Sequence, residues 1–476
     1  MTDIDTQRAL DYDINDEYSI LERAKLLIGK SLDEVLKNSP YDQKKINSAN
    51  KGRVGNIIEK HWFGIENNSY AEPDFKTAGI ELKVSPIKEL KSTLLVVKER
   101  TKICRINYVE LIKEEWISSH AKNKLNKILF IFYKHDFDED NWGKQRVLEV
   151  KLWNLKTDEL LISSEWFKTR DEVFKGNAHN LSESNYQILA PCTSGSGKKD
   201  VSQPNNQIDA RERSFALKQP FVNFLWDSIN NLDDYESIQE NLNLSTIDNL
   251  EFEVQSRINH YSGQTIGQIV NRLNITIPSS KNAVRSIIMK LLGFHGDNTK
   301  IKEFKQLGVE IKVIPIERER KKLLESISFP AIKFKEFAKE TWEDSSLSLD
   351  LTKILFIPVS KSKTSSADLK ERVLEDSFFW SPSSNEMKII KNEWLNYQKE
   401  VRKGIQIEKI PRNTKKGYIE QTSLPNESST QIVHMRTHAK DSNDRDTDDF
   451  ETSIVKHSFW LNKKFVNSLI EKSSKK

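Results

Sequence analysis

Apolar and polar positions along this chain follow two rhythms, one with the period of a helix and one with that of a strand. Residues 50–62 (NKGRVGNIIEKHW) place Val54, Ile57, Ile58 and His61 on one side at helical spacing. Residues 79–84 alternate, Ile80 and Leu82 against Glu81 and Lys83, which predicts a strand with two unlike faces. Residues 127–133 are apolar almost without a break and suit a central strand covered on both sides. Further helices are predicted around 164–174 and from Phe221 onward. Strands and helices mixed in this way predict an α/β or α+β fold with a mixed central sheet.

The same succession occurs twice. AGIELKVSPI at 78–87 returns as LGVEIKVIPI at 307–316, with six of ten positions identical and two more exchanging one aliphatic for another. Trp116 recurs as Trp342, NKILFI at 126–131 as TKILFI at 352–357, and Trp166 and Gly176 as Trp394 and Gly404. SFALKQPFVNFLW at 214–226 returns as SFWLNKKFVNSLI at 458–470. Colinear matches at an offset of 226–244 residues imply two copies of one domain, each a complete folding unit. The join is expected in the polar stretch 230–245, giving domains 1–230 and 245–476. Three segments read as loops: 193–207, with Lys198 and Lys199 among Ser, Gly and Asn; the acidic 440–451; and 360–366.

Composition narrows the class. The 74 basic and 70 acidic residues nearly cancel, so attraction to a polyanion must come from local patches. Two cysteines cannot make a disulfide framework or a four-cysteine zinc site. The start is acidic and polar and does not resemble a secretory signal, and the longest apolar runs are strand-sized. A cytoplasmic protein without membrane association is expected.

Candidate chemistry lies on the first copy's strand. Glu81 and Lys83, two apart, share one strand face, and a preceding strand or turn can bring Asp74 beside them. Two carboxylates and a lysine suit Mg²⁺, which polarises a phosphodiester and lowers the pKa of an attacking water. Lys83 would orient that water and stabilise charge in the transition state. Glu59, at the apolar edge of the preceding helix, and Lys124, at the start of the next apolar strand, extend the constellation. A solvated strand face is the bland alternative for the Glu81–Lys83 pair.

The strings GRVGNIIE, PDFKTAGIELK and KNKLNKILF resemble the MutH family of DNA endonucleases, which cleave at GATC. GNAHNLSE (176–183), LAPCTSG (189–195) and HSFWLN (457–462) resemble type II restriction endonucleases of the Sau3AI type, and that resemblance spans essentially the whole chain. It implies two tandem MutH-like domains of restriction-endonuclease fold, Mg²⁺ dependence and cleavage of duplex DNA at 5′-GATC-3′. By family match Glu59, Asp74, Glu81, Lys83 and Lys124 form the active site, with Glu59, Asp74 and Glu81 as metal ligands.

The second copy departs from this pattern. Glu310 and Lys312 remain and Glu303 stands at the spacing of Asp74, but Met289 replaces Glu59 and Asp350 replaces Lys124. Losing a carboxylate and inverting a cation would cripple the chemistry, so this copy is expected to bind DNA without cutting it, as an allosteric effector on a second site. In MutH-like proteins the loop after the last core strand reaches into the groove. The corresponding candidates are Thr193, Lys198, Lys199, Arg211, Arg213 and Lys218 in copy one and His434, Arg436 and His438 in copy two. Arginine is the commonest reader of guanine, and Arg436 is placed by this match. Copy one reads Ala190-Pro191-Cys192 where the family has Arg-Pro-Lys, so its base contacts do not carry over.

The expectation is a type II restriction endonuclease that makes double-strand breaks by pairing two chains, or bridging two sites, on DNA. A companion methyltransferase would protect the host. Two rivals are a repair-type nicking endonuclease at GATC and a DNA-binding protein that does not cut.

Overall fold

The computed structural model describes residues 11–41, 52–66, 72–89, 95–136, 139–193, 200–242, 250–277, 282–294, 300–342, 345–362, 368–411 and 418–474. The chain divides into two compact units, Met1–Leu232 and Asp233–Lys476. In the first, the strands are β1 (Glu81–Glu89), β2 (Leu95–Val97), β3 (Thr101–Arg105), β4 (Lys127–Lys134), β5 (Val147–Asn154), β6 (Leu189–Thr193), β7 (Asp200–Gln203), β8 (Asn206–Arg211) and β9 (Arg213–Leu217). The helices are α1 (Glu17–Lys25), α2 (Leu32–Lys37), α3 (Arg53–Ile57), α4 (Tyr108–Leu111), α5 (His120–Leu125), α6 (Glu159–Phe174) and α7 (Gln219–Asn231).

β4 is the spine of the first unit. Its residues Ile128 to Phe132 have no exposed surface, because the sheet is covered on both faces. β4 runs parallel to β1 and antiparallel to β5, and β2 closes the other edge antiparallel to β1, giving the mixed order β2-β1-β4-β5. On one face Ile20, Leu32, Ile57, Ile58 and Trp62 from α1 to α3 and the turn after it pack on Leu82, Leu129 and Ile131. On the other, α7 sets Trp226 against Phe132 and Phe221 against Trp153, with ring centroids 5.3 and 5.6 Å apart. Each such buried side chain contributes about 1.5–3 kcal/mol. A second, antiparallel sheet, β3-β9-β6, and the hairpin β7-β8 complete the unit.

The second unit repeats the plan. Strand Val309–Glu317 runs parallel to Lys353–Lys361, and strands 322–323, 373–374 and 378–380 add to this pair. The register is the same in both copies: Glu81 lies opposite Ile128, and Glu310 opposite Ile354. A three-stranded sheet of Ile327–Ala331, His457–Leu461 and Val433–Thr437 matches β3-β9-β6.

The duplicated residues explain themselves as packing. Trp116 meets Trp166 at 5.7 Å in one unit and Trp342 meets Trp394 at 5.6 Å in the other. Gly176 and Gly404 end the long helices at φ of +76° and +90°, in the left-handed region that favours glycine. A β-carbon on Gly176 would come within 2.8 Å of the Asn205 carbonyl oxygen, where the β7-β8 hairpin crosses. The residue before Trp166, and that before Trp394, is a buried glutamate that sequence reading passed over. Glu165 accepts from the backbone N–H groups of Gln187, Ile188 and Leu189, and Glu393 from those of Gln431, Ile432 and Val433. Each fixes the start of the strand that follows, β6 in one unit and Val433–Thr437 in the other.

Three loop expectations need correcting: of 360–366, Ser360 and Lys361 belong to strand Lys353–Lys361, and 363–366 lie outside the described residues. The stretch 193–207 is not all loop: 200–203 and 206–211 pair as a hairpin whose tip turns at Asn205, φ +59°. The acidic 440–451 likewise contains strand Arg445–Thr447, paired with Ser453–Val455. Among the described residues no helix is long and apolar enough to cross a membrane.

Replacing Glu165 by Ala strands three backbone N–H groups in the interior, at about 1–3 kcal/mol each. The variant should lose roughly 3 kcal/mol or more from the unfolding free energy of the first unit, read as an earlier transition in urea. Glu165→Gln keeps an acceptor oxygen and should lose less.

Candidate active site

A tight turn brings the first carboxylate to the strand. Phe75 and Ile80 exchange backbone hydrogen bonds of 2.9 and 3.2 Å across residues 76–79. Gly79 closes this turn at φ +66°. Asp74, at its upstream edge, thus lies beside β1 and its Oδ2 accepts from the Leu82 N–H at 2.8 Å.

Glu81 opens β1 and is 1% exposed. Burial of a lone carboxylate is costly, and here two cations offset it. Lys83 Nζ donates to Glu81 Oε1 at 2.5 Å, and Lys124 Nζ reaches both Oε1 and Oε2 at 3.0 Å. Lys83 comes from the same strand face, two residues on. Lys124 comes from α5, whose first turn is capped by Ser119 accepting from the Lys122 N–H. Because α5 runs directly into β4, Glu81's parallel neighbour, the lysine arrives at the head of the strand pair.

Glu59 lies two residues past the end of α3, where the helix loosens into a π-helical turn, Ile58–Trp62. Such turns are uncommon and often occur at functional sites. Its carboxyl is pushed up to about 7, first by burial and then by the neighbouring Asp74, with Lys83 and Lys124 opposing. Asp74 is also raised, by burial and then by Glu81, against the pull of Lys83 and of the Leu82 N–H. Three carboxylates thus act on one another electrostatically, with two lysines opposing.

Hard, crowded carboxylate oxygens fit a small divalent cation by chemistry. As arranged, Glu81 is held by the two lysines and Asp74 by a backbone N–H; among the described residues no three His, Cys, Asp or Glu side chains converge as a metal cage.

The second unit lacks this constellation. Glu310 is exposed, and Lys312 lies 5.3 Å from the Phe329 ring. Glu303, expected at the place of Asp74, sits on helix Lys302–Leu307 and faces another way. It accepts from Ser237 Oγ at 2.5 Å and the Ile238 N–H at 2.9 Å, fixing the start of a short helix. Met289 is buried in helix Ala283–Leu291, and Asp350 ends helix Ser346–Asp350.

The expected DNA contacts divide. Thr193 ends β6 exposed, its carbonyl accepting from Arg100 at 3.5 Å. Arg211 is exposed on β8, 3.6 Å from Asp200. Arg436 is exposed with its guanidinium 3.9 Å over the Trp460 ring, and His438 is exposed with Nδ1 2.9 Å from Ser458 Oγ. Three others are turned inward, a correction to the sequence reading. Arg213 donates to the Pro191 and Leu181 carbonyls, Lys218 to the Tyr186 carbonyl at 2.9 Å, and His434 Nδ1 pairs with Asn462. All three are buried and hold sheet to loop. Basic character in the sequence did not distinguish a groove contact from a carbonyl partner. Lys198 and Lys199 lie outside the described residues.

The raised Glu59 carboxyl has a consequence for stability. Its folded value of about 7 exceeds the ordinary 4.5, so ionisation destabilises the fold increasingly from pH 4.5 upward and fully above about pH 7. In metal-free buffer, Glu59→Gln should therefore raise the melting temperature of the first unit by roughly a few degrees at pH 8, the gain vanishing towards pH 4.5. Calorimetry across that range checks it; an equal gain at both ends would contradict the crowding.

The family model described as the DNA mismatch repair enzyme MutH matches the chain twice, at residues 63–164 and 292–393. The first match contains Asp74, Glu81, Lys83 and Lys124. The type II restriction enzyme Sau3AI of Staphylococcus aureus is 27% identical, over 95% of this chain and 98% of its own length. The DNA mismatch repair protein MutH of Actinobacillus pleuropneumoniae serotype 5b is 29% identical, over 32% of this chain and 68% of its own. That of Yersinia enterocolitica is 27% identical, over 44% of this chain and 90% of its own. Two tandem matches to the MutH model and similarity end to end to a type II restriction enzyme mark this chain as a DNA endonuclease.

Proposed function

We propose that the chain is a Mg²⁺-dependent restriction endonuclease that cuts duplex DNA at 5′-GATC-3′, with its first unit catalytic and its second a DNA-binding effector. The observation that carries this reading is the contrast at one strand position. Glu81 is buried between Lys83 and Lys124, whereas Glu310, in the same register, is exposed, and an acid, Asp350, stands at the place of Lys124.

Asp74 and Glu81, with Glu59 beside them, would hold the metal, which when bound polarises the phosphodiester and lowers the pKa of the attacking water. Lys83 orients that water for in-line attack on phosphorus. Lys124 offsets negative charge as it accumulates on the phosphoryl oxygens. The bond to the 3′ oxygen breaks, leaving a 5′-phosphate. The raised Glu59 carboxyl and the lysine-held Glu81 keep the site from carrying three uncompensated charges before substrate arrives.

One such site per chain cuts one strand at a time, so a double-strand break requires two chains or two encounters, with DNA bridging them. In the second unit, Arg436 stacked on Trp460 and His438 beside it offer donors to a second GATC. Occupation of that site would promote pairing. A cytoplasmic location fits a DNA substrate, and a methyltransferase modifying GATC must accompany the enzyme to spare the host.

Digestion of a plasmid of known sequence with Mg²⁺ tests the assignment. Wild type should yield fragments ending at GATC, and chelation should stop the cutting. Glu81→Ala should lower the rate at least about 10³-fold, while Glu310→Ala should stay within about threefold. Nicked circles alone would favour a repair-type enzyme, and equal loss in both variants would sink the one-site reading.

A further inference from the structure

His120 occupies the first turn of α5, four residues before Lys124, so the two side chains leave the helix on the same side. Ser119 caps that turn and has no exposed surface. The imidazole lies within electrostatic range of both Lys124 and Glu81 and so borders the cluster of charges built on β1. Its Nε2 is buried and, among the described residues, has no hydrogen-bond partner. A buried polar atom left unpaired costs free energy, and folded proteins rarely leave one so without a use for it. Among the described residues no acceptor engages this atom, and its ring interacts electrostatically with groups that would receive a phosphate.

The second unit provides an internal control. Ser345 caps helix Ser346–Asp350 as Ser119 caps α5, and it too has no exposed surface. At the positions of His120 and Lys124 stand Ser346 and Asp350. Ser346 Oγ instead donates to Glu340 at 3.4 Å. What the fold needs, the cap, is retained in both units. The imidazole is missing from the unit that also lacks the cation and the helical carboxylate.

We propose that His120 is a catalytic residue of the endonuclease, donating a hydrogen bond from Nε2 to a non-bridging oxygen of the scissile phosphate. This rests on the nuclease reading above. Burial, then the charge of Lys124, holds the imidazole below its ordinary pKa, so at neutral pH it is a neutral donor. Lys124 supplies charge at that phosphate and His120 supplies direction; the imidazole need not gain or lose a proton. As the phosphoryl oxygens become more negative on the way to the transition state, the bond strengthens, and that difference is what accelerates the reaction.

The test uses the full-length chain, single-turnover cleavage with Mg²⁺, and GATC duplexes carrying one sulfur at the scissile phosphate in either stereochemical sense. His120→Ala should slow cleavage of the all-oxygen duplex by about 10- to 100-fold. His120→Gln, whose amide N–H can stand where Nε2–H stood, should recover most of the rate, whereas His120→Asn, with its amide one atom short, should not. Sulfur is a poor acceptor, so in one of the two stereoisomers the slowing it causes in wild type should largely disappear in His120→Ala. If both isomers are slowed equally in wild type and variant, or if Ala cleaves as fast as wild type, His120 touches no phosphate oxygen and the inference falls while the nuclease reading stands. If wild type itself does not cut at GATC, both fall together. Should the Ala variant fail to fold, the Gln and Asn pair still decides, since equal rates for the two would remove any role for a donor at Nε2.

Discussion

A carboxylate buried at the head of the central strand pair sets the terms for the rest of the first unit. Glu81 could not be 1% exposed without compensation, and the compensation comes from two elements that must meet it. Lys83 needs β1 to be a true strand, so that residues two apart share a face. Lys124 needs α5 to end where β4 begins, and β4 to lie parallel to β1 in the register that sets Glu81 against Ile128. The turn that returns Asp74 to Leu82 and the π-helical turn that presents Glu59 deliver further acids to the same place. The fold is thus a device for holding more negative charge in one spot than the surroundings tolerate, relieved in part by two cations.

Duplication separates what the architecture requires from what the chemistry requires. The tryptophan pairs, the buried glutamates ahead of Trp166 and Trp394, the left-handed glycines and the serine caps occur in both units. Glu59, Lys124 and His120 have no counterpart of like chemistry. Glu303 is instructive because it keeps its spacing from the strand but has been taken into the capping of a neighbouring helix. Spacing along a sequence is therefore a weaker guide than the conformation between the spaced residues: a turn closed by Gly79 in one case, a helix ended by Gly308 in the other.

Much of this was legible in the sequence because its physical signals are strong. The apolar run of β4, the alternation in β1 and the internal repeat predicted the mixed sheet, and the MutH resemblance pointed to the residues gathered around Glu81. Legibility failed where a side chain's partner is backbone. Nothing in the residue types of Arg213, Lys218 or His434 announces that each will be buried against a carbonyl or an amide. Glu165 and Glu393 passed unnoticed for the same reason, although both copies keep a glutamate before the tryptophan. The hairpin at 200–211 was read as loop because its strands are short and polar, with little apolar alternation to mark them.

The π-helical turn at Ile58–Trp62 bears on the history of the second unit. A π turn carries one residue more than an α turn, and that extra residue rotates every following side chain by about 100°. Helix Ala283–Leu291 remains α-helical through Met289. A glutamate restored at 289 would be followed by an α-helical turn where Glu59 is followed by a π-helical one, so the side chains after it would take other bearings, and a lysine restored at 350 would find Glu310 turned out to solvent. The second unit thus differs from the first in backbone as well as in side chains, and restoring single residues would not by itself rebuild the grouping around Glu81.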